Sequence, residues 1–181
     1  MLQIVVPISP EGWDERRQEF VAPRTQILQL EHSLVSLRKW ESKWCKPFLS
    51  KTDKTDEEVL DYVKCMTLTQ HVDPEIYDHL TADNYREINK YIEAPMTATT
   101  FSEDKTSKGS REIVTAELIY HWMIALNIPF ECQKWHLNSL LTLIRVCNIK
   151  NSPPKKMSKS DLMRRNAALN ASRRRQHNSR G

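Results

Sequence analysis

The stretch Thr25-Gln26-Ile27-Leu28-Gln29-Leu30-Glu31-His32-Ser33-Leu34-Val35-Ser36-Leu37-Arg38-Lys39-Trp40-Glu41-Ser42-Lys43-Trp44 changes its hydrophobic rhythm once. Up to Glu31, the residues Ile27, Leu28 and Leu30 form a short apolar run of the kind that makes a strand. From Ser33 onward Leu34, Leu37, Trp40 and Trp44 recur at helical spacing. At about 100° per residue these four fall within an arc of about 120°, with Arg38, Lys39, Ser42 and Lys43 on the opposite side. The chain therefore passes from strand to helix at Ser33, and its two sides read differently.

On the N-terminal side, Leu2-Gln3-Ile4-Val5-Val6 is a second β-branched run that Pro7 is expected to end. Residues 9–23 lie between the two runs as a long hairpin-like connection. A strand near Ile4 with an open edge invites self-association unless it is covered. On the C-terminal side everything reads as helices separated by proline. Pro47 ends the first. Thr55-Asp56-Glu57-Glu58 is a capping box leading into Val59, Tyr62, Val63 and Met66 on one face. Asp73-Pro74 supplies a cap and a first-turn proline for Ile76, Tyr77 and Leu80. Thr81 caps a helix that turns Tyr85, Ile88 and Ile92 inward, and Pro95 stops it.

Residues 96–111 hold the polar cluster from Ser102 to Arg111 and are expected to form an exposed loop. From Thr115 to Leu126 the pattern is apolar nearly all round, which suits the centre of a bundle and places Trp122 in the core. After Asn127 and Pro129 a second helix, from about Cys132 to Cys147, carries Leu137, Leu140, Leu141, Leu143, Ile144 and Cys147 on one face. The two are expected to pack as a helical hairpin. Ser152-Pro153-Pro154-Lys155-Lys156 reads as a linker, and residues 160–176 as a partly helical tail with too little apolar surface to hold itself folded. The expected fold is thus mainly α: a β-extension over 1–32, a compact helical bundle over 33–149, and a linker with a basic tail over 150–181.

Composition narrows the function. The chain has 181 residues and three glycines, Gly12, Gly109 and Gly181, against about 13 at ordinary usage. A phosphate-binding P-loop, a dinucleotide-binding turn and a nucleophile elbow all require clustered glycines, so all three are excluded. The longest uncharged run, residues 118–130, has 13 residues and includes His121, Asn127 and Pro129, short of the roughly 18 to 20 apolar residues of a membrane span. The start lacks a basic region ahead of its apolar stretch, so no secretory signal is expected. Cys45, Cys65, Cys132 and Cys147 form no C-x-x-C pair and read as free thiols.

Charge is divided along the chain. From Lys150 to the end, ten basic residues face one acidic residue, Asp161, for a net of +9, and the preceding 149 residues carry a net of −5. The basic positions that matter are Lys155, Lys156, Arg164, Arg165, Arg173, Arg174 and Arg175. They are compatible with phosphate contact, but no aromatic residue interleaves them to stack on bases, so any nucleic-acid binding is expected to have little sequence preference.

No catalytic, metal or cofactor residues are expected. Cys132-x-x-x-His136, with Cys147 further along, has ligand-like spacing but lacks the second pair of a structural zinc site, and His136 reads as a hydrogen-bonded core histidine. Asp56, Glu57 and Glu58 are explained by the positive end of a helix dipole. His32, Ser33 and Cys45 have no orienting carboxylate or oxyanion element in view. Among the tryptophans, Trp40 and Trp44 suit either the core or the rim of a partner groove, and Trp13, in a polar loop, reads as an exposed anchor.

The segments from Leu30 to Trp44, Lys46-Pro47-Phe48-Leu49, Pro95-Met96-Thr97-Ala98-Thr99, Ile128-Pro129-Phe130-Glu131-Cys132-Gln133 and Arg165-Asn166-Ala167-Ala168-Leu169-Asn170 resemble tail assembly chaperone-like proteins of long-tailed bacteriophages, encoded near the tape-measure gene. The resemblance implies a non-catalytic protein that binds the long, helix-rich tape-measure protein and helps tail-tube subunits assemble around it. It implies action in the host cytoplasm and absence from the mature virion. A client groove is then expected among Leu34, Leu37, Trp40 and Trp44, with Trp13 and the basic tail as further contacts. The alternative is a virion structural or connector protein, or a small nucleic-acid-binding packaging factor that uses the tail.

Overall fold

In a computed structural model of the chain, residues 1–9, 12–14, 19–21, 24–101, 112–152 and 159–177 are described. The protein is mainly α, with an antiparallel strand pair at its N-terminus. Residues 1–148 form one compact unit and residues 149–181 a second.

β1 (Leu2–Ser9) pairs with β4 (Arg24–Leu30), in register from Leu2 opposite Leu30 to Pro7 opposite Thr25. Pro7 does not end β1 as expected. Among the described residues β1 has a strand partner on one side only, so a residue without an N–H is tolerated there. Between them, β2 (Gly12–Asp14) and β3 (Glu19–Val21) form a short second pair with Trp13 opposite Phe20. The side chain of Trp13 lies outside the described residues, as do residues 102–111 of the expected loop and 153–158 of the expected linker.

The strand pair is built into the body. Alternation sends Ile4, Val6, Leu28 and Leu30 inward, where they share a core with Trp40, Tyr62, Val63, Met66, Ile76 and Ile88. The outer edge of β4 is covered by the segment after the second helix: Leu68 donates to the Gln29 carbonyl at 2.8 Å, and Glu31 donates to the Met66 carbonyl at 2.9 Å. At β1, the Asn84 amide donates to the Val5 carbonyl at 3.2 Å.

α1 (Leu34–Trp44) begins at Ser33, whose hydroxyl accepts from the Ser36 N–H while the Ser36 hydroxyl accepts from Ser33. α2 (Asp56–Met66) has the expected capping box between Thr55 and Glu58. Asp73-Pro74 starts a 3-10 helix, Pro74–His79, rather than an α-helix. α3 (Ala82–Glu93) is capped by Thr81 with Asn84 as reciprocal partner, and α4 (Ala116–Ala125) by Thr115. A 3-10 helix, Phe130–Lys134, precedes α5 (Leu137–Asn151).

Two expectations about this last region are corrected. The helix expected from Cys132 is interrupted, because residues 130–134 wind as a 3-10 turn and α5 starts only after His136. α4 and α5 pack in one core, Ala116, Ile119 and Met123 with Leu137, Leu140 and Ile144, and Leu34 and Leu37 of α1 enter it beside them. α4 is a surface helix rather than the centre of a bundle: Ala116, Ile119 and Met123 form one buried stripe, Trp122 is only partly covered, and Ile124 is exposed.

α6 (Lys159–His177), in the second unit, is longer than the partly helical tail expected, and all its residues are exposed. Asp161 in its first turn and Arg174, Arg175 and His177 in its last complement the helix dipole, and its alanines favour the helix without any packing.

The shortage of glycine shows in the turns. Cys45, His71, Met96 and Asn127 all take positive φ, between 46° and 55°. Cys45 is the C-cap of α1, with its N–H on the Glu41 carbonyl at 2.8 Å. A left-handed conformation costs a non-glycine residue about 1 to 2 kcal/mol, part of which glycine gives back as unfolded-state entropy. Cys45→Gly is therefore expected to raise the stability measured by urea unfolding by about 0.5 to 1 kcal/mol; a loss of stability would mean that the cysteine side chain makes compensating contacts.

Candidate functional site

The residues expected to form a client groove fall into two groups. Leu34 and Leu37 are fully buried and Trp40 is 1% exposed, so they belong to the two cores and no groove opens among them. The correction has a physical cause: α1 is covered on two sides, and a 120° stripe that would serve one face is divided between two cores. Trp40 meets Phe48 edge-on at 5.0 Å and donates its indole N–H to the Glu58 carbonyl at 2.8 Å. Trp44 is half-buried; its indole N–H donates to Asp61 at 3.0 Å, and Lys43 pairs with the same carboxylate. Lys46 pairs with Glu58, and that contact, with the Thr55 N–H, holds the Glu58 carboxyl below its ordinary range.

A buried polar seam runs where the two cores meet. The His32 Nδ1 lies 2.6 Å from the Tyr62 hydroxyl, and its ring contacts that of His136 edge-on at 5.1 Å. His136 Nε2 is 3.0 Å from the Tyr91 carbonyl, and its Nδ1 accepts from the Asn138 N–H at 3.3 Å. That pattern requires the neutral Nε2–H tautomer, so both ring nitrogens of His136 are committed to structure. Tyr91 donates to Glu31 at 2.7 Å, and Glu31 also pairs with the N-terminal amino group at 2.9 Å. The Leu137 N–H donates to the His32 carbonyl at 2.7 Å, which ties the start of α5 to the entry of α1. His136 is therefore a hydrogen-bonded core histidine, as expected from its place in an apolar stripe. Cys132 is buried in the second core, and among the described residues no three or more His, Cys, Asp or Glu side chains converge on a metal position. The four cysteines are free thiols.

The apolar surface that sequence reasoning missed lies on the outer side of α4. Tyr120 and Ile124 from α4, with Phe130 from the following turn, floor an open cleft of about 510 Å³ whose rim carries Arg38, Glu117 and His121. Ile124 is 61% exposed and Phe130 52%. The rings of Tyr120 and Phe130 are 6.4 Å apart, Arg38 lies over the Tyr120 ring at 5.8 Å, and the Tyr120 hydroxyl donates to Gln133 at 2.8 Å. On the other flank of α4, Leu49, Ile113, Trp122 and Leu141 line a second open cleft. The signal was present in the sequence. A helix needs one apolar stripe to be held, and residues 118–126 carry more apolar side chains than a single stripe uses.

Of the basic positions, Arg164, Arg165, Arg173, Arg174 and Arg175 lie on α6, whereas Lys155 and Lys156 lie outside the described residues. No helix among the described residues is long and apolar enough to cross a membrane.

Burial, and secondarily the neighbouring His136, push the His32 imidazole down from its ordinary value to about 4; burial also lowers His136. The unfolded chain therefore binds protons that the folded chain refuses, and stability falls as pH drops from about 6.5 towards 4. For His32 alone the loss amounts to about 3 kcal/mol over that window. Urea unfolding of the wild type and of His32→Gln at a series of pH values measures it. The slope is expected to flatten markedly in the variant; equal slopes would show that His32 titrates normally.

Comparison of the chain with protein-family models, with curated proteins and with solved structures returns no match.

Proposed function

We propose that the chain is a non-catalytic tail assembly chaperone that holds the tape-measure protein, in helical form, against the outer side of α4. The observation that carries this reading is the cleft floored by Tyr120, Ile124 and Phe130 and rimmed by Arg38 and Glu117. Its apolar floor is not needed to hold α4, which Ala116, Ile119 and Met123 already anchor. Large side chains left exposed beyond the needs of folding mark a surface kept for a partner. A helix-forming client that displays apolar stripes before assembly is the chemistry such a cleft accepts, and the mixed-charge rim orients it.

The buried polar groups support a non-catalytic role. The ring nitrogens of His136, the hydroxyls of Tyr62 and Tyr91 and the carboxylates of Glu41 and Glu58 each serve a structural hydrogen bond. Moderate affinity also suits the role, since a client has to be released as tube subunits polymerise around it. The resemblance of the Leu30 to Trp44 and Ile128 to Gln133 segments to the phage proteins supports a tape-measure client, and the exposed apolar cleft supports α4 as its contact surface.

Co-expression with a helical fragment of the tape-measure protein, followed by co-purification and titration calorimetry, tests the reading. The wild type is expected to retain the fragment, and Ile124→Glu/Phe130→Glu to weaken binding at least about tenfold, at ~1.4 kcal/mol per tenfold, with an unchanged melting temperature. Failure of the wild type to bind the fragment, or undiminished binding by the double variant, would overturn it.

A further inference from the structure

We infer that α6 is a duplex-DNA-binding helix that enters the major groove, an activity separate from the client surface on α4. The first observation is the distribution of charge around the helix. α6 carries Lys159, Arg164, Arg165, Arg173, Arg174 and Arg175 against Asp161 alone, and all of its residues are exposed. Stepping about 100° per residue from Leu162, the arginines fall at all azimuths, and Arg173 lies on the same side as Leu162 and Leu169. A helix that lies on a lipid surface, or packs along another helix, segregates an apolar face from its charges; α6 does not. Charge on every side suits a site that surrounds the helix with negative charge, as the two phosphate walls of a groove do.

The second observation is spacing. The pair Arg164-Arg165 and the triplet Arg173-Arg174-Arg175 are separated by the seven residues Asn166 to Ser172. At ~1.5 Å per residue, Arg165 and Arg173 stand about 12 Å apart along the axis, so the two basic clusters bracket a neutral middle of about two turns. The third is the character of the middle. Asn166 and Asn170 are one turn apart, and Ala167 and Ala171 lie beside them on the same side. Small and amide side chains let a helix approach the groove floor closely, and an amide can pair with a base edge there. About that face, Arg173 sits on one flank and Arg164 with Arg175 on the other; Arg174, one turn beyond Asn170, continues the face itself, and Arg165 lies on the side opposite it. The deep, narrow major groove of an A-form RNA duplex does not admit such a helix. This distinguishes duplex DNA from RNA as the ligand.

Fluorescence anisotropy of the full chain with a labelled 25-base-pair DNA duplex tests the inference. Binding at low salt is expected to weaken with a slope of log K against log salt of at least about −3.6, that is about 0.9 for each of four phosphate contacts from Arg164, Arg173, Arg174 and Arg175. Arg164→Gln/Arg165→Gln should reduce the slope by about 0.9 and Arg173→Gln/Arg174→Gln/Arg175→Gln by about 2.7, each also lowering affinity at least tenfold. Methyl green, a major-groove ligand, should displace the protein and netropsin, a minor-groove ligand, should not. All five substitutions are on exposed positions, so an unchanged melting temperature verifies that the variants are folded. The inference is overturned if the chain does not bind the duplex at low salt, if an RNA duplex or polyglutamate binds as tightly, if the arginine variants bind unchanged, or if netropsin is the effective competitor. Because the client cleft takes no part in this assay, its outcome is independent of tape-measure binding.

Discussion

The structure depends on α1 being covered from two sides. Leu34 and Leu37 enter the core of α4 and α5, Trp40 enters the core of the strand pair, α2 and α3, and Glu41 is buried beside them. A carboxylate in that position is costly unless its oxygens are met. One oxygen accepts from the Phe48 N–H at 2.9 Å and the other from the Ala116 N–H at 2.7 Å. The second bond spans 75 residues and holds the positive end of α4 against α1. Glu41 therefore settles where α4 lies, and with it which side of α4 faces water.

From the placement of α1 the rest of the body follows. The His32, Tyr62, His136 and Tyr91 seam closes the gap between the cores with hydrogen bonds that, at His136, require a neutral imidazole. The stem of α1 is fastened to α2 through Trp40 on the Glu58 carbonyl and through Trp44 and Lys43 on Asp61. With α1 fully occupied in holding the two cores together, the surface proposed for a client is the outer side of α4, where Ile124 and Phe130 are exposed.

Local chemistry made much of the fold legible. Ser33, Thr55, Thr81 and Thr115 cap helices because their hydroxyls, followed by the right spacing, satisfy first-turn amides, and those signals act over four residues. What depended on distant partners was harder to read. Leu34, Leu37 and Trp40 show one stripe in sequence, yet only the arrival of α4 and α5 on one side and of α2 on the other divides it. The run around Ile124 reads as a buried centre because periodicity cannot tell an all-round apolar helix in a core from one with an exposed apolar side. His136 was legible as a core residue from its apolar neighbours, whereas its pairing with the Tyr91 carbonyl was not. Positive φ at Cys45 has no signature of its own, whereas Asn127, just past the end of α4, is a residue type that takes the left-handed region readily.

A scaffold of this kind separates the residues that hold the fold from those proposed to hold a client, and the two sets predict different responses to binding. Hydrogen–deuterium exchange of the protein with and without a helical tape-measure fragment measures that difference directly. The account predicts slower exchange in the peptides covering residues 117–135 and no change in those covering residues 34–44. Protection or opening of residues 34–44 with none at 117–135 would place the client on α1 and contradict it.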